Sequence, residues 1–296
     1  MRFGLVGTGP WARLAHGPGL HEATGVELVG VWGRDSAKAA ALAGELGTTA
    51  YDGHDGYDAM LADVDAVAFA VPPDVQAPMA VQAARAGRHL LLDKPVALDP
   101  GQARELADAA SAAGVASVVF FTDRFVPEIR AWLAECRRTS GWLGGWLRWF
   151  SALQEPGNVF GDSPWRHERG ALWDTGPHAV SMLSAALGRV TQVDAAAGAG
   201  DLVTLLLGHE SGASSTVTLT QFAPAAVACY EATVWGEAGF SSMPPRPGDD
   251  RLPGILATAA EELVAAAAAG TSHELDAAFG ADVVEILARA AERAGR

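Results

Sequence analysis

Three clusters in this sequence combine residue types and spacings that can do chemistry. The first is Gly7-Thr8-Gly9-Pro10-Trp11-Ala12, a G-x-G-x-x-A turn that follows a short apolar run at 3–6. Gly7 permits a tight turn, Gly9 lets the backbone approach a pyrophosphate, and Ala12 is small enough for the next helix to pack on a sheet. The first N–H groups and the positive dipole end of that helix then face the phosphates. The second cluster is Asp93-Lys94-Pro95, directly after an apolar run at 89–92. A lysine at a cleft mouth donates to a substrate oxygen and favours its anionic form. Taken alone, Lys94 is equally a turn lysine. The third is Gly170-Ala171-Leu172-Trp173-Asp174-Thr175-Gly176-Pro177-His178. Asp174 and His178 are four apart and share one face of a helical turn, which Pro177 suits. A carboxylate beside an imidazole orients the ring and raises its basicity, as a general base requires. On that pair alone, an N-cap aspartate and a satisfied buried histidine is the plainer account.

The elements around these clusters alternate. Apolar strands are expected at 3–6, 26–32, 64–71, 89–92 and 116–121, and helices at 11–20, 36–46, 75–86 and 100–113. Strands separated by helices of this length imply a parallel, doubly wound sheet, whose ligands collect beyond the carboxyl ends of the strands. Gly7, Gly33, Pro72 and Lys94 each fall just after a strand, so residues far apart in sequence converge. After Phe121 the pattern changes. A helix at 128–138 is followed by a strand-like segment at 142–153 and an irregular Gly-, Pro- and Trp-rich stretch at 154–169. A helix at 179–187 then leads to strands at 192–197, 202–207, 213–222 and 230–235 on short turns. Such strands pair antiparallel, giving a large, mainly antiparallel sheet with helices on one face. A loop at 239–253 and two Ala-rich helices at 255–268 and 277–294 close the chain. The fold class is therefore an N-terminal Rossmann-type α/β domain, 1–121, and a C-terminal α+β domain, 122–296. The last helix of the second can pack back on the first, and substrate binding and oligomerisation fall to the second only through the resemblance given below.

The end of the second strand bears on cofactor choice. An acidic residue there binds the adenosine ribose 2′-OH. Here that position is Gly33, followed by Arg34. A missing carboxylate beside a guanidinium suits a 2′-phosphate, because arginine pairs with phosphate bidentately. NADP(H) is favoured, with NAD(H) possible through Asp35 as a displaced ribose acceptor.

Composition excludes several function classes. The formal net charge of -14 repels phosphate backbones and anionic lipid, so neither nucleic acid nor a membrane surface is an expected partner. Cys136 and Cys229 lack metal-ligand spacing, so no metal is expected, and two buried, reduced thiols suit a reducing compartment. Met1-Arg2 runs directly into a strand without a leader, no apolar run of membrane-spanning length stands out, and a cytoplasmic location follows.

Together the segments resemble the Gfo/Idh/MocA family, the relatives of glucose-fructose oxidoreductase and inositol dehydrogenase. Beyond the glycine turn, Ala86-Gly87-Arg88-His89-Leu90-Leu91-Leu92-Asp93-Lys94-Pro95 is similar to the family's AGKHV-x-x-EKP. Asp123-Arg124-Phe125-Val126-Pro127 is similar to its R-F-x-P segment, and the stretch at 169–181 to G-G-x-L-x-D-x-G-x-H-x-x-D. Ala277-Ala278-Phe279-Gly280 also matches. The resemblance implies that a nicotinamide lies between the Rossmann domain and the face of the second sheet. It implies that Lys94, Asp174 and His178 polarise and deprotonate a substrate hydroxyl while hydride leaves its carbon. It implies cofactor contacts from Gly7, Thr8, Gly9, Pro10, Trp11, Gly33, Arg34, Val71, Pro72, Pro73, Asp93 and Lys94. Four positions depart from the pattern: Asp93 for Glu, Val71 for Thr, Gln76 for His and Ser181 for Asp. The last two concern groups around polyol hydroxyls.

The expected reaction is hydride transfer between a nicotinamide and a secondary alcohol or ketone of a sugar-like or other cyclic small molecule. One alternative is glycoside cleavage through transient oxidation. Another is a non-catalytic NAD(P)-binding regulator. Trp146, Trp149, Phe160, Trp165 and Trp173 are candidates for stacking on a ring, for the core or for a subunit interface. Arg124 and Arg166 are candidates for an acidic substituent, with structural ion pairs as the default. A homodimer or homotetramer through the outer face of the second sheet is implied by the resemblance.

Overall fold

The computed structural model describes residues 1–153, 164–246 and 248–295. They divide into two compact units, Met1–Phe125 with Gly248–Asp282, and Val126–Pro247 with Val283–Arg296. The sequence-based cut at 121/122 differs from this, because residues 248–282 return to the first unit.

The first unit holds a six-stranded parallel sheet in the order β3-β2-β1-β4-β5-β6. Its strands are β1 (Arg2–Val6), β2 (Glu27–Gly33), β3 (Thr49–Asp52), β4 (Ala66–Phe69), β5 (His89–Leu92) and β6 (Ser117–Val119). The order reverses between β1 and β4, the position at which such sheets open a ligand crevice. The connecting helices are α1 (Gly17–Glu22), α2 (Ser36–Leu46), α3 (Gly53–Asp63), α4 (Pro73–Arg85) and α5 (Pro100–Ala113). Strand residues such as Phe3, Leu5, Val67, Phe69, Leu90 and Leu91 are fully buried, as expected of a sheet covered on both faces. β3 and α3 were not expected from sequence. Thr49-Ala50-Tyr51-Asp52 is a polar, mostly exposed strand without apolar alternation, and pairing with β2 alone makes it a strand.

Residues 252–282 complete this unit. α9, numbered in chain order after the second-unit helices α6 to α8 given below, spans Leu252–Ala269. By length and composition it is apolar enough to cross a membrane, which the sequence estimate of apolar runs did not register. It packs instead on α1 and beside β5 and β6. The approach to α1 is close: a Cβ at Gly19 would stand 2.7 Å from Leu256 Cδ2 and from the Pro253 carbonyl oxygen.

The second unit holds a six-stranded sheet in the order β12-β11-β7-β10-β9-β8. Its strands are β7 (Trp142–Phe150), β8 (Val190–Ala197), β9 (Val203–His209), β10 (Ser214–Thr220), β11 (Cys229–Gly236) and β12 (Gly239–Ser242). The pairing is antiparallel except between β7 and β10, which run parallel, so the sheet is mixed. β12 falls where a loop was expected; the hairpin from Gly236 to Gly239 forms it. The helices are α6 (Pro127–Arg138), α7 (Pro164–Asp174), α8 (Gly176–Leu187) and the end of α10 (Ala277–Ala294). α7 occupies part of the stretch expected to be irregular. Its Gly170 has φ 66° and ψ -171°, a kink that breaks the helical signal. Leu147, Val217, Leu219, Leu205 and Val234 line the buried face, where α8 packs on β7 and β10. Cys136 is buried, but Cys229 is only half-buried, because it sits on the other face of the sheet.

Candidate active site

The glycine turn sits at the β1/β4 switch point. Gly7 has φ +130°, and a Cβ there would stand 2.4 Å from the Ala70 carbonyl oxygen, so only glycine fits. Its N–H donates to the Trp32 carbonyl at 2.9 Å, which ties the turn to the end of β2. Gly9 is the opposite case: nothing lies within 4 Å of a Cβ built on it. The backbone at Gly9 is therefore open to a large ligand, as a pyrophosphate cradle requires. Pro10 is exposed, Thr8 and Trp11 are half-buried, and Ala12–His16 form a π-helical turn before α1. His16 is fully buried against Trp11 and Phe120, and burial pushes its imidazole down to about 4, so the turn carries a neutral ring.

At the end of β2 a Cβ on Gly33 would stand 2.7 Å from Thr8 Cγ2 and 3.2 Å from Ala39 Cβ. An acidic side chain does not fit there without a shift of the turn. Arg34, Ser36 and Lys38 are exposed. Asp35 is the N-cap of α2, its carboxylate accepting from the Lys38 N–H at 3.1 Å.

Lys94 follows β5, half-buried, with a cis bond to Pro95. Gln76, fully buried in α4, staples this loop. Its Oε1 accepts from the Asp93 N–H at 2.8 Å, and its Nε2 donates to the carbonyls of Asp93 at 2.8 Å and of Pro95 and Val96 at 3.3 Å. Asp93 Oδ1 accepts from the Lys94 N–H at 2.8 Å. The residue that departs from the family pattern thus spends its amide on holding the lysine loop. A second clamp comes from the chain's end. Val119 N–H donates to the Leu275 carbonyl, and a Cβ at Gly280 would stand 2.7 Å from Val96 Cγ1. Val71 and Pro72 lead into α4, and Pro73 occupies its first turn. Arg124 is 6% exposed and paired with Glu274 at 3.0 Å.

Asp174 and His178 belong to the second unit, Lys94 and the cofactor-type residues to the first. Asp174 ends α7 and His178 lies in the first turn of α8, with Thr175 as the cap residue between them. Asp174 is therefore not the N-cap. Its Oδ2 accepts from Arg166 Nε at 3.0 Å and from Gln221 Nε2 at 2.5 Å. His178 is 5% exposed, and the Trp149 ring lies 5.4 Å from it, centroid to centroid. The Tyr230 ring lies 4.2 Å from Trp149, centroid to centroid and tilted by 40°, and the Arg246 guanidinium lies 5.7 Å from the centre of the same Trp149 ring. Ser181, one turn beyond His178, is fully buried. Of the other aromatic candidates, Trp173 is in the core, Trp146 carries Arg148 on the outer sheet face, and Trp165 lies beneath Arg166. Phe160 lies outside the described residues. No group of three metal-ligating side chains occurs among the described residues.

Gln221, Tyr230 and Asp201 were not foreseen. For Gln221 a signal existed: it follows Ser215, Val217 and Leu219 on the buried parity of β10, and an amide at such a position needs a partner.

Residues 1–121 match a family described as "Oxidoreductase family, NAD-binding Rossmann fold", and residues 138–241 match the GFO/IDH/MocA C-terminal domain. The rhizopine catabolism protein MocA of Rhizobium meliloti is 28% identical over 313 residues, covering 100% of this chain and 95% of that protein. D-xylose 1-dehydrogenase (NADP(+)) 2 of Haloferax volcanii is 35% identical over 130 residues, 43% of this chain and 39% of that one. A levoglucosan dehydrogenase structure in complex with NADH and levoglucosan has the same fold, with a TM-score of 0.85 at 19% identity, covering 100% of this chain and 97% of that one.

Proposed function

Because the chain belongs to the Gfo/Idh/MocA oxidoreductase family, we propose that it transfers a hydride between NADP(H) and a secondary alcohol or ketone of a sugar-like or other cyclic substrate. The observation that carries this is the pairing of an open glycine cradle after β1 with a lysine loop fixed by Gln76 after β5, the two strands that flank β4 in one sheet. NADP(H) over NAD(H) is supported by Gly33, where Thr8 leaves no room for an acid, and by the exposed Arg34 and Lys38. Asp35 is occupied as a helix cap, which disfavours it as the ribose acceptor.

The nicotinamide supplies the carbon that accepts or returns hydride. In the oxidative direction the Lys94 ammonium donates a hydrogen bond to the substrate oxygen and stabilises its developing charge. His178 takes the hydroxyl proton as a carbonyl forms, and it returns that proton in reduction. Asp174 supplies a negative charge that favours the protonated imidazole. Trp149 and Tyr230 form an aromatic wall beside His178 that suits a ring-shaped substrate. A cytoplasmic setting, with nicotinamide at hand and thiols reduced, fits this chemistry.

The test is to incubate the protein with NADPH or NADH and a panel of cyclic ketones, and with the oxidised cofactors and the matching polyols and anhydrosugars, following nicotinamide absorbance. Turnover of at least one pair, faster with NADP(H), is expected. Binding of both cofactors without turnover of any pair rejects the enzyme assignment, and faster turnover with NAD(H) rejects the cofactor preference.

A further inference from the structure

Gln221 lies just beyond β10 and is 1% exposed. Its backbone is fully used: the N–H donates to Asp201 Oδ2 at 2.9 Å, and the carbonyl accepts from the Leu153 N–H at 2.8 Å. Its Nε2 donates to Asp174 Oδ2. Its Oε1 is buried and has no hydrogen-bond partner. The amide orientation follows from its neighbour. Arg166 pairs with the same carboxylate, so Asp174 presents an acceptor and Gln221 must answer with its NH2 group. An orphaned buried amide oxygen carries an uncompensated desolvation cost. The protein accepts that cost to keep the NH2 end on Asp174.

Asp201 fixes the same corner. It is 7% exposed, accepts from the Ala171 N–H at 3.1 Å, and takes the Thr220 hydroxyl on its other oxygen at 2.6 Å. One carboxylate therefore ties the α7 kink to the end of β10. The kink passes close enough that a Cβ at Gly170 would stand 3.2 Å from Asp201 Cβ. The two ends of the Asp174–Gln221 contact hang from this clamp, one through Ala171 and the other through the Gln221 backbone.

We propose that Gln221 is a positioning residue of the acid–base site, fixing the plane and the ionised form of the Asp174 carboxylate through Nε2 while Asp201 holds both residues in register. This rests on the assignment of Asp174 to the acid–base site. Arg166 from α7 and Gln221 from just beyond β10 both donate to Oδ2, so the carboxylate is tied to a second element besides its own helix.

The test uses the full chain labelled with aspartate carrying 13C at the carboxyl carbon, the Asp174 resonance being identified by its loss in Asp174→Asn. The carboxyl shift is followed against pH in the wild type, Gln221→Leu and Gln221→Glu. Removing the donor in Gln221→Leu is expected to move the Asp174 midpoint up by about one pH unit. Gln221→Glu, which keeps the side-chain shape, moves it up further because a like charge replaces the donor. A midpoint unmoved in both variants overturns the proposal. Loss of the folded state in both, seen by circular dichroism, marks a purely structural residue and overturns it as well. The underlying assignment fails separately, if Asp174→Asn retains wild-type turnover on a substrate found in the absorbance panel.

Discussion

Arg34, directly after the end of β2, is the side chain on which the proposed preference for NADP(H) turns. It is exposed, it follows a glycine that cannot be enlarged, and the nearest carboxylate caps a helix. A charge-assisted contact to a 2′-phosphate is worth roughly 1.5–3 kcal/mol, so Arg34→Ala should raise the KM for NADPH about 10- to 100-fold. The KM for NADH should stay nearly constant, and equal changes for both cofactors in steady-state kinetics contradict the assignment. Gly7, Gly9 and Gly33 could be singled out as candidates from their places beside strand ends, whereas Lys94 and His178 had equal or plainer accounts on their own and became candidates through the family resemblance. The partners of these groups could not. Arg166 and Gln221 reach Asp174 from 8 and 47 residues away, and such contacts depend on packing that no local pattern encodes.

At the scale of elements, the lysine loop depends on α4 more than on its own strand. Gln76 makes four hydrogen bonds to backbone atoms of residues 93–96, one by Oε1 and three by Nε2. Gln76→Ala leaves the Asp93 N–H without its acceptor, at a cost of about 1–3 kcal/mol. A lower thermal midpoint and a lower kcat with little change in cofactor KM are expected. Unchanged kcat in a variant of lower stability would mean that the loop holds Lys94 without this staple. Sequence singled out Gln76 as a departure near the substrate, whereas its amide turns out to be committed to backbone. The parallel α/β order was legible because its strands are continuous apolar runs. β3, α3 and β12 were not, since an edge strand with polar residues and a hairpin of four residues become strands only through their neighbours.

At the scale of the whole molecule, the outer face of the second sheet carries apolar side chains. Pairing places Phe240, Trp235, Gly144, Ser214 and, one pleat along, Trp146, Thr216 and Leu206 on the same side. Phe240 is 80% exposed, Leu206 53% and Trp235 40%. Large apolar side chains exposed on one sheet face suit association, and we propose that copies of the chain pair through it. Light scattering should report a dimer or tetramer for the wild type and a smaller species for Phe240→Asp, with little change in thermal midpoint because the side chain is exposed. Equal masses for the two proteins would exclude this face. The change of pattern near Phe121 in the sequence lies close to the Phe125/Val126 boundary between the two units. The return of residues 248–282 to the first unit was not, because two Ala-rich helices look alike wherever they pack.

The proposed reaction is hydride transfer to or from a substrate carbon, assisted by Lys94 and His178. The most direct measurement is to supply NADPH deuterated at the transferable C4 position with each ketone of the panel and to examine the product by mass spectrometry and NMR. One deuterium on the new carbinol carbon is expected, with rates lowered roughly a hundredfold to ten-thousandfold in Lys94→Ala and in His178→Asn. Product without deuterium on that carbon, or deuterium transfer at the wild-type rate in both variants, would contradict it.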